Sequence, residues 1–272
     1  MRPVPQDQPT TLLVNVPCGS YFRIAFEVRG ALARALPGQF VNLRLSEGTQ
    51  PLLRRPFSIS RMLKASGGKT HMEVIFAVVK EGTRLLSRLG PGTPIRVLGP
   101  LGRPFPHLDR KHPAILVGGG VGIPPMVYLS EYLRKKKVKQ WVFLGARTKK
   151  DLVHVEVFRK MGVPLFVATD DGTAGKRGFV TRELEGFLGS SDLPKGAVIH
   201  ACGPRPMFKA LAAVAEKHRI PAYLSWEELM ACGLGICLTC TCPHKGGSME
   251  RTCVEGPVFE ASRIDWEKLP KA

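Results

Sequence analysis

Sulfur ligands are concentrated near the C-terminal end of the chain. Five of the seven cysteines lie in the stretch CGLGICLTCTCPHKGGSMERTC. Four of them, Cys232, Cys237, Cys240 and Cys253, have the spacing C-x4-C-x2-C-x12-C. In a reducing compartment, thiols this close together are more often metal-bound or redox-active than paired in disulfides. The segment is therefore the first candidate for a metal centre.

The spacing of the first three cysteines is that of plant-type 2Fe–2S ferredoxins. A short loop has to wrap two irons, and Gly233 and Gly235 suit it because residues without a Cβ adopt tight, positive-φ turns. Cys253 would close the site after the turn at HKGG. A structural zinc site is the alternative, but zinc sites usually draw on two matched ligand pairs. We predict a 2Fe–2S cluster, with Cys242 as a spare thiol.

A second motif, LVGGGVGIPPM, places glycines directly after an apolar strand. Glycines let the backbone approach a pyrophosphate, and the N-terminus of the following helix offers free N–H donors. Proline is well tolerated in that first turn. A glycine run alone fits any tight β–α turn, whereas the strand–loop–helix context favours a nucleotide site. The candidate residues are Gly118, Gly119, Gly120 and Gly122.

A third motif, LLRRPFSIS, combines an arginine with an aromatic residue. Arg55 is followed two residues later by Phe57 and then by Ser58, within a stretch that alternates like a strand. The planar fork of an arginine can pair a diphosphate, and an aromatic side chain can cover a flavin ring. On residue types alone this pattern is weak, because it fits the start of many strands.

The elements that must position these motifs fall into two halves. In YFRIAFEVRG, the residues Phe22, Ile24, Phe26 and Val28 alternate with smaller or polar ones, which predicts a strand. The segments QFVNLRL, RRPFSIS, HMEVIFAVV and TPIRVLGPLG continue this pattern, each bounded by glycine, proline or serine. Short strands at regular spacing predict a small antiparallel β-barrel over residues 1–109.

After residue 110 the pattern changes to alternating strands and helices. PAILVGGG is a continuous apolar run, typical of a strand buried on both faces. It is followed by helix 124–137, QWVFLGA, LVHVEVFRKM, PLFVATD, VTRELEGFL, AVIHACG and RPMFKALAAVAEKHR. This order predicts a parallel-sheet α/β domain over residues 110–222, and a cysteine module over 223–272.

Composition and charge narrow the function classes. The 272 residues are 44% hydrophobic, ordinary for a globular protein, and the formal net charge is +18. A basic balance can indicate nucleic-acid binding, but no aromatic residues interleave the basic runs, so we expect no nucleic-acid partner. With no membrane-length apolar run and no secretory-type start, a cytoplasmic protein without a membrane span is expected.

Taken in order along the chain, the motifs resemble the ferredoxin–NADP reductase superfamily. Those that carry the resemblance are Arg55-Pro56-Phe57-Ser58, Gly82-Thr83, GGGVGIPP, TDDGTAGKRGFVT, Cys202-Gly203-Pro204 and CGLGICLTC…RTCVEGPVF. Within the superfamily the chain is most similar to the electron-transfer subunit of NAD-dependent (class 1B) dihydroorotate dehydrogenase. The resemblance runs from about Thr11 to Phe259 without large gaps.

The resemblance implies that FAD lies at the junction of barrel and α/β domain. Its implied contacts are Arg55, Pro56, Phe57, Ser58, Ile75, Phe76 and Ala77, with Gly82 and Thr83 at the diphosphate. Relatives often carry Tyr–Arg where Phe76–Ala77 stands, so an arginine contact to FAD is expected to be missing here.

The resemblance also implies an NAD(H) site that includes Gly203 and Pro204. It places Asp170, Asp171 and Gly172 near the nicotinamide, although Asp–Gly is equally a plain turn signal. Cys202 could face the nicotinamide or be a small buried hydrophobe, and Cys18 is expected in the core. Basic residues at 147–150 could hold a 2′-phosphate or be a solvated loop; the family favours NAD.

These parts together indicate an oxidoreductase for electron transport rather than an acid–base enzyme. NADH gives up two electrons at once, and an iron–sulfur cluster accepts one electron at a time. A flavin can exchange either two electrons or one, and so can connect them. No catalytic dyad or nucleophile is needed, and none stands out. The resemblance implies an FMN-containing catalytic partner that oxidises dihydroorotate in pyrimidine biosynthesis, in a heterotetramer. The alternatives are a subunit of another NAD(P)H-linked complex and a nucleic-acid-associated iron–sulfur redox sensor.

Overall fold

The computed structural model describes residues 4–190 and 194–269. Within these residues the chain forms two seven-stranded sheets, one two-stranded ribbon and five α-helices. One seven-stranded sheet is antiparallel and N-terminal, and the other is mostly parallel. The fold class expected from the sequence is confirmed.

The N-terminal sheet has the strand order β4-β3-β7-β1-β2-β6-β5. Its strands are β1 (Gln6–Cys18), β2 (Tyr21–Val28), β3 (Phe40–Arg44), β4 (Arg55–Ser58), β5 (Arg61–Lys64), β6 (Thr70–Phe76) and β7 (Pro94–Leu101). The edge strands β4 and β5 follow one another in the chain, so the sheet must curl to bring its edges together. The rings of Phe57 on β4 and Phe76 on β6 lie 5.5 Å apart across this curl.

The interior of this curled sheet is the apolar core that the alternation in β2 predicts. Ile24, Phe26 and Val28 are buried together with Leu12 and Val41 from neighbouring strands. One helix, α1 (Glu81–Arg88), interrupts the β-structure between β6 and β7. The sequence motifs did not predict this helix, because it is short and carries a poor helix former, Gly82, in its first turn.

The second sheet has the order β11-β10-β9-β8-β12-β13-β16, all parallel except the last strand. Its strands are β8 (Ala114–Gly119), β9 (Gln140–Ala146), β10 (Leu165–Thr169), β11 (Lys176–Arg177), β12 (Val198–Cys202), β13 (Ala222–Ser225) and β16 (Val258–Glu260). Every residue of β8 is buried, as its unbroken apolar sequence predicts.

Helices cover both faces of this sheet. They are α2 (Ile123–Lys135), α3 (Val155–Met161), α4 (Val180–Ser190) and α5 (Arg205–Lys217). Residues of α2 and α3 pack against Leu116 and Val142, and residues of α4 and α5 pack against Ile115 and Val117. Helix α3 begins at Val155, later than expected, because Thr148 caps a short 3-10 turn over Lys149–Asp151.

The cysteine-rich segment folds between the two sheets. It forms a small ribbon of β14 (Thr241–Pro243) and β15 (Met249–Arg251), and then returns to the parallel sheet as β16. The sequence pattern predicted that this module begins at residue 223. In the structure, residue 223 lies within β13 (Ala222–Ser225), a strand of the parallel sheet.

Polar contacts join the two sheets. Arg61 on β5 pairs with Glu131 on α2 at 2.5 Å, and the Tyr128 hydroxyl donates to the Ala35 carbonyl at 2.5 Å. The backbone N–H of Ser20 donates to the carbonyl of Lys150. Among residues 4–190 and 194–269, no helix is both long enough and apolar enough to cross a bilayer.

Candidate functional site

Two adjoining cavities lie at the carboxyl ends of the parallel strands, facing the N-terminal sheet. The larger, here called the glycine-loop cavity, measures about 610 Å³ and is bounded by residues 119–122. The smaller, the Arg55 cavity, measures about 280 Å³ and lies against β4. Ala77, Val121 and Glu227 line both. A molecule in one cavity would therefore touch a molecule in the other.

The glycine-loop cavity brings together most of the predicted coenzyme residues. Gly119, Gly120, Gly122, Gly203 and Pro204 line it. The glycines are required by close packing, since a Cβ on Gly122 would lie 2.3 Å from the carbonyl oxygen of Cys202. Two loops thus approach each other at the N-terminus of α2, whose first turn contains prolines. This is the arrangement that binds a pyrophosphate.

Three predicted coenzyme residues do not line this cavity, namely Gly118, Cys202 and Asp171. Gly118 is buried within β8, where a Cβ would lie 3.0 Å from the Cα of Ile123. Cys202 ends β12 but is only 1% exposed and packs into the core, where burial raises the pKa of its thiol. Its position is that of a small buried hydrophobe.

The far wall of the glycine-loop cavity is formed by Arg147, Asp151, Asp170 and Phe179. Asp170, rather than Asp171, lines the space. The Asp171 carboxylate accepts hydrogen bonds from the N–H and the hydroxyl of Thr173, and these lower its pKa. Of the basic residues at 147–150, only Arg147 borders the cavity.

The Arg55 cavity collects the predicted flavin residues. Arg55, Pro56, Phe57 and Ser58 form one wall along β4. The other residues of the predicted set that line it are Ile75, Phe76, Ala77 and Thr83. The side chain facing the junction at position 77 is alanine, so no arginine contact is made there.

Arg55 is held over the first turn of α1. A Cβ on Gly82 would lie 2.2 Å from the Nε of Arg55, so only glycine leaves room for the guanidinium. The Thr83 hydroxyl is occupied, because it accepts from the N–H of Lys80 at 3.1 Å and donates to that residue's carbonyl. The helix N-terminus and the guanidinium together place positive charge of the kind that can hold a diphosphate.

The four predicted ligand cysteines come together in the loop beside β14. Cys232 and Cys237 are neighbours, and Cys240 and Cys253 are buried together in one apolar cluster. Hydrogen bonds from Thr239 and then from Cys232 lower the pKa of Cys237 to about 6. Within the described part of the chain, no three His, Cys, Asp or Glu side chains converge on a single-ion position.

Two glycines of the cysteine loop adopt left-handed backbone conformations. Gly233 and Gly235 have φ values of 70° and 82°, as the sequence predicts. A Cβ on Gly233 would lie 2.2 Å from the Nδ2 of Asn42 on β3. The Arg251 guanidinium donates to the carbonyl of Gly235 at 2.9 Å and so braces the loop.

The two remaining cysteines near the site are separate from this set. Cys242 is fully buried in the core under the parallel sheet, beside Phe259. Cys18, expected in the core, is half-buried and packs near Tyr21 and Val153. The donor set of four thiols with wrapping glycines fits a 2Fe–2S cluster, and Cys242 is buried apart from this set.

The cysteine module also borders the Arg55 cavity. Met230 and Thr252 line that cavity, and Thr252 immediately precedes Cys253. Phe40, another lining residue, packs against Cys240 and Cys253. The glycine-loop cavity, the Arg55 cavity and the four cysteines therefore form one continuous series.

Glu227 lies at the junction of the two cavities. Its side chain opens into the cleft, but protein surrounds the cleft on most sides, and this desolvation raises the pKa of the carboxyl. By contrast, the neighbouring Glu228 accepts from Arg205 at 2.5 Å and from the indole N–H of Trp226 at 3.0 Å. Glu227 is thus the carboxyl that is free to face a ligand.

The motifs did not point to Tyr21, Glu227 or Thr252, whereas Asp170 belongs to the TDDGTAGKRGFVT motif and was expected at the coenzyme. Asp170 and Glu227 directly or almost directly follow strands β10 and β13. Because ligands bind outside the carboxyl ends of parallel strands, that rule could have found them. Tyr21 and Thr252 reach the cavities only through packing between distant segments, and no local signal marks them.

Family models match two parts of the chain. Residues 227–265 match the iron–sulfur cluster binding domain of dihydroorotate dehydrogenase B, and residues 116–213 match the oxidoreductase NAD-binding domain. A Fusobacterium nucleatum protein, named dihydroorotate dehydrogenase B (NAD(+)), electron transfer subunit, is 38% identical over 85% of this chain and 87% of its own. The protein of the same name from Desulforamulus reducens is 35% identical over 94% and 97%.

A solved structure shows the same architecture. It comes from a study of flavin-based electron bifurcation in an NADH-dependent reduced ferredoxin–NADP oxidoreductase. The TM-score is 0.83 at 30% identity, and the match covers 96% of this chain and 91% of that one.

Proposed function

This chain belongs to the family of electron-transfer subunits of NAD(+)-dependent dihydroorotate dehydrogenase B, and we propose that it carries electrons between NAD(H), FAD, a 2Fe–2S cluster and the FMN of a catalytic subunit. That partner would oxidise dihydroorotate to orotate, in pyrimidine biosynthesis. One observation carries the proposal: two cavities that share Ala77, Val121 and Glu227, the second of them bordered by the cysteine module.

The NAD(H) site would be the glycine-loop cavity. Gly119, Gly120 and Gly122 would hold the pyrophosphate against the N-terminus of α2, with Gly203 and Pro204 on the other side. The junction residues would receive the nicotinamide, because they are shared with the second cavity. Asp170 directly follows β10, which lies two strands from β8 on the side away from β13, and this position suits the adenosine half.

The FAD site would be the Arg55 cavity. Arg55 and the first turn of α1 would hold the diphosphate, and Phe57, Ser58 and Phe76 would pack along the ring. When bound, FAD exchanges a hydride with nicotinamide and single electrons with a cluster. The chain's own part is to align the two groups and to exclude water between Ala77 and Val121.

The cluster would be held by Cys232, Cys237, Cys240 and Cys253. Cys240 and Cys253 are buried on the side of Phe40, whereas Cys237 is exposed at the surface. Electrons arriving at the buried side can therefore leave at the exposed side. The cysteine loop is both the end of the internal path and the point of contact with a partner.

The surface around Cys237 fits an apolar partner. Four aliphatic side chains of the loop are exposed, namely Leu229, Leu234, Ile236 and Leu238. An apolar group of this kind on a monomer is typical of a protein interface. We propose that the catalytic subunit binds there, with two subunits of each kind in the complex.

The proposal also divides the chain into three functional units. The functional units would be residues 1–109 for FAD, 110–222 for NAD(H) and 223–272 for the cluster, in a cytoplasmic complex. Of the basic residues behind the +18 charge, Arg55 and Arg147 line the two cavities.

One other electron acceptor is supported by a specific observation. The solved structure at TM-score 0.83 belongs to an NADH-dependent reduced ferredoxin–NADP oxidoreductase. In that alternative, the cofactors and the internal path would be the same and the partner would be different. The two functions therefore differ in what binds the surface around Cys237.

The experiment that tests the function combines this chain with an FMN-containing dihydroorotate dehydrogenase catalytic subunit and measures dihydroorotate-dependent reduction of NAD. We expect activity that needs both proteins and that falls when Ile236→Asp places a charge in the apolar surface. Leu13→Asp is the matched control, since Leu13 is an exposed leucine on β1. A complex that forms but transfers no electrons from dihydroorotate, while ferredoxin supports turnover, would instead support the alternative.

A further inference from the structure

Tyr21 is a largely buried residue whose hydroxyl is not used within the protein. It is 9% exposed, and its ring packs with Ile75 and Val153. Burial, with a smaller effect of the Asp151 charge, raises the pKa of the hydroxyl to about 12, and no hydrogen bond from the described residues contributes. The hydroxyl is therefore a neutral donor that lacks an acceptor, and buried groups of this kind usually meet a ligand or water.

The hydroxyl opens into the glycine-loop cavity. Tyr21 lines that cavity, and its hydroxyl oxygen lies 3.4 Å from the point that a Cβ on Gly120 would occupy. Apart from Gly120 and its own neighbours in the chain, no other atom of the described residues comes within 4 Å of that point. The hydroxyl and Gly120 thus face the same open space.

The turn between β1 and β2 holds Tyr21 in this position. The backbone N–H of Ser20 donates to the carbonyl of Lys150 at 3.2 Å. Gly19 packs closely on the same carbonyl, since a Cβ at this position would lie 2.3 Å from its oxygen. Tyr21 follows directly as the first residue of β2. The N-terminal sheet therefore supplies a side chain to a cavity that the α/β domain mostly builds.

The two charged groups that act on Tyr21 leave its hydroxyl free for a ligand. The Asp151 carboxylate already accepts from the N–H and the hydroxyl of Thr148, at 3.2 Å and 3.3 Å. Arg147 borders the same cavity and offers no acceptor, because a guanidinium only donates. A ligand that satisfies both the hydroxyl and Arg147 must carry acceptor oxygens and negative charge.

We propose that the Tyr21 hydroxyl donates a hydrogen bond to a pyrophosphate oxygen of a dinucleotide bound at the glycine loop. This inference rests on the proposed function, since it needs NAD(H) in the glycine-loop cavity. A glycine loop at a helix N-terminus binds pyrophosphate, so an oxygen held at Gly120 lies within reach of the hydroxyl. Phosphate oxygens are charged and therefore strong acceptors. Through Tyr21, the N-terminal sheet binds the coenzyme directly and helps to position it.

The test compares Tyr21→Phe with wild type, in the full chain loaded with FAD and cluster. Calorimetry uses ADP-ribose, which contains the pyrophosphate, and adenosine, which lacks it. We expect Phe to weaken ADP-ribose binding about tenfold and to leave adenosine binding unchanged. Tyr223→Phe is the matched control, because its hydroxyl contacts His107 at 3.1 Å and the residue does not line the cavity. This control should bind ADP-ribose as wild type does.

The outcomes separate this inference from the function beneath it. Equal ADP-ribose affinity in wild type and Tyr21→Phe would overturn the role of Tyr21 and leave the proposed function standing. An equal loss of affinity for ADP-ribose and adenosine would also overturn it, because a general loss of structure weakens both ligands alike. A wild-type chain that binds neither ADP-ribose nor NADH would refute the proposed function itself.

Urea unfolding without ligand provides a second readout. Since the hydroxyl has no partner in the free protein, Tyr21→Phe should leave the unfolding midpoint unchanged. A lowered midpoint together with wild-type ADP-ribose binding would assign the hydroxyl to the fold and overturn the inference.

Discussion

The carboxylate of Glu73 on β6 accepts a hydrogen bond from Nε2 of His154 at 3.0 Å, across the boundary between the two sheets. Glu73 is 2% exposed and also accepts from Arg23 at 3.2 Å. His154 directly precedes α3 and follows the loop that carries Asp151 on the wall of the glycine-loop cavity. This contact therefore helps to fix the position of the N-terminal sheet relative to the wall of the glycine-loop cavity.

The Glu73 contact predicts a pH dependence of stability. Burial acts to raise the pKa of Glu73, but the hydrogen bonds and charges of His154 and Arg23 outweigh it and hold the pKa below its ordinary value. A carboxyl with a lowered folded-state pKa stabilises the fold above its unfolded value of 4.5 and loses that contribution as pH falls below it. Glu73→Gln should cost about 2 kcal/mol at pH 7.

Urea unfolding of wild type and Glu73→Gln between pH 3 and 7 measures this effect. The difference between the two proteins should shrink as pH falls from about 4.5 through the lowered folded-state pKa of Glu73, below which both proteins carry a neutral side chain. Glu156→Gln removes an exposed carboxylate that pairs with Arg159, and should change stability by less than about 0.5 kcal/mol. A Glu73 difference that stays constant with pH would contradict the assignment.

The cysteine set predicts which substitutions remove the cluster. Cys237→Ser and Cys253→Ser should each lower bound iron and sulfide strongly, because each removes one of four thiolate ligands. Cys242→Ala is the matched control, since Cys242 is buried in a separate core, and it should retain the cluster. Iron and sulfide analysis with EPR measures the result. Loss of the cluster in the Cys242 variant alone would move that residue into the ligand set.

The contact of Gly233 with Asn42 predicts a strained variant. Gly233→Ala would place a Cβ 2.2 Å from Nδ2 of Asn42 and would force an alanine into φ 70°. We expect the cluster content to fall, with loss of stability of about 1–3 kcal/mol. Adding Asn42→Ala should recover part of this loss by removing the clash, but not the backbone strain. No recovery in the double variant would show that strain accounts for the whole effect.

We expect the carboxylate of Asp170 to favour NAD over NADP. A carboxylate at the end of β10 can accept hydrogen bonds from a ribose and repels a 2′-phosphate. Asp170→Ser should improve binding of 2′-phospho-ADP-ribose relative to ADP-ribose about tenfold, measured by calorimetry. Lys149→Ser is the control, because Lys149 does not border the cavity. If Lys149→Ser instead selectively weakens the phosphorylated ligand, the basic loop determines the preference.

The sequence was most informative where function depends on local spacing. The four cysteines, the glycines at 119–122 and Arg55 are each marked by their immediate neighbours, and all of them lie at the cavities or in the cysteine loop. Strand β9 matches the predicted segment because its apolar run is bounded by polar residues at both ends. Local patterns suffice when one segment supplies the whole feature.

It was least informative where function depends on packing between distant segments. Thr252 lies at the Arg55 cavity because the cysteine module folds back onto the N-terminal sheet, which no spacing encodes. Helix α1 was missed since its capping relies on Thr83 and Lys80 rather than on apolar periodicity. Asp171 resembles a site residue in the motif, but its side chain closes a turn and leaves Asp170 at the cavity.

The central claim is that NADH, flavin and cluster form one electron path within this chain. An anaerobic titration of the purified protein with NADH, followed by absorption and then by low-temperature EPR, tests it most directly. We expect the flavin band to bleach and a rhombic signal from a reduced 2Fe–2S centre to appear, and the EPR signal to be lost in Cys237→Ser. A colourless protein that binds zinc and does not react with NADH would contradict the account.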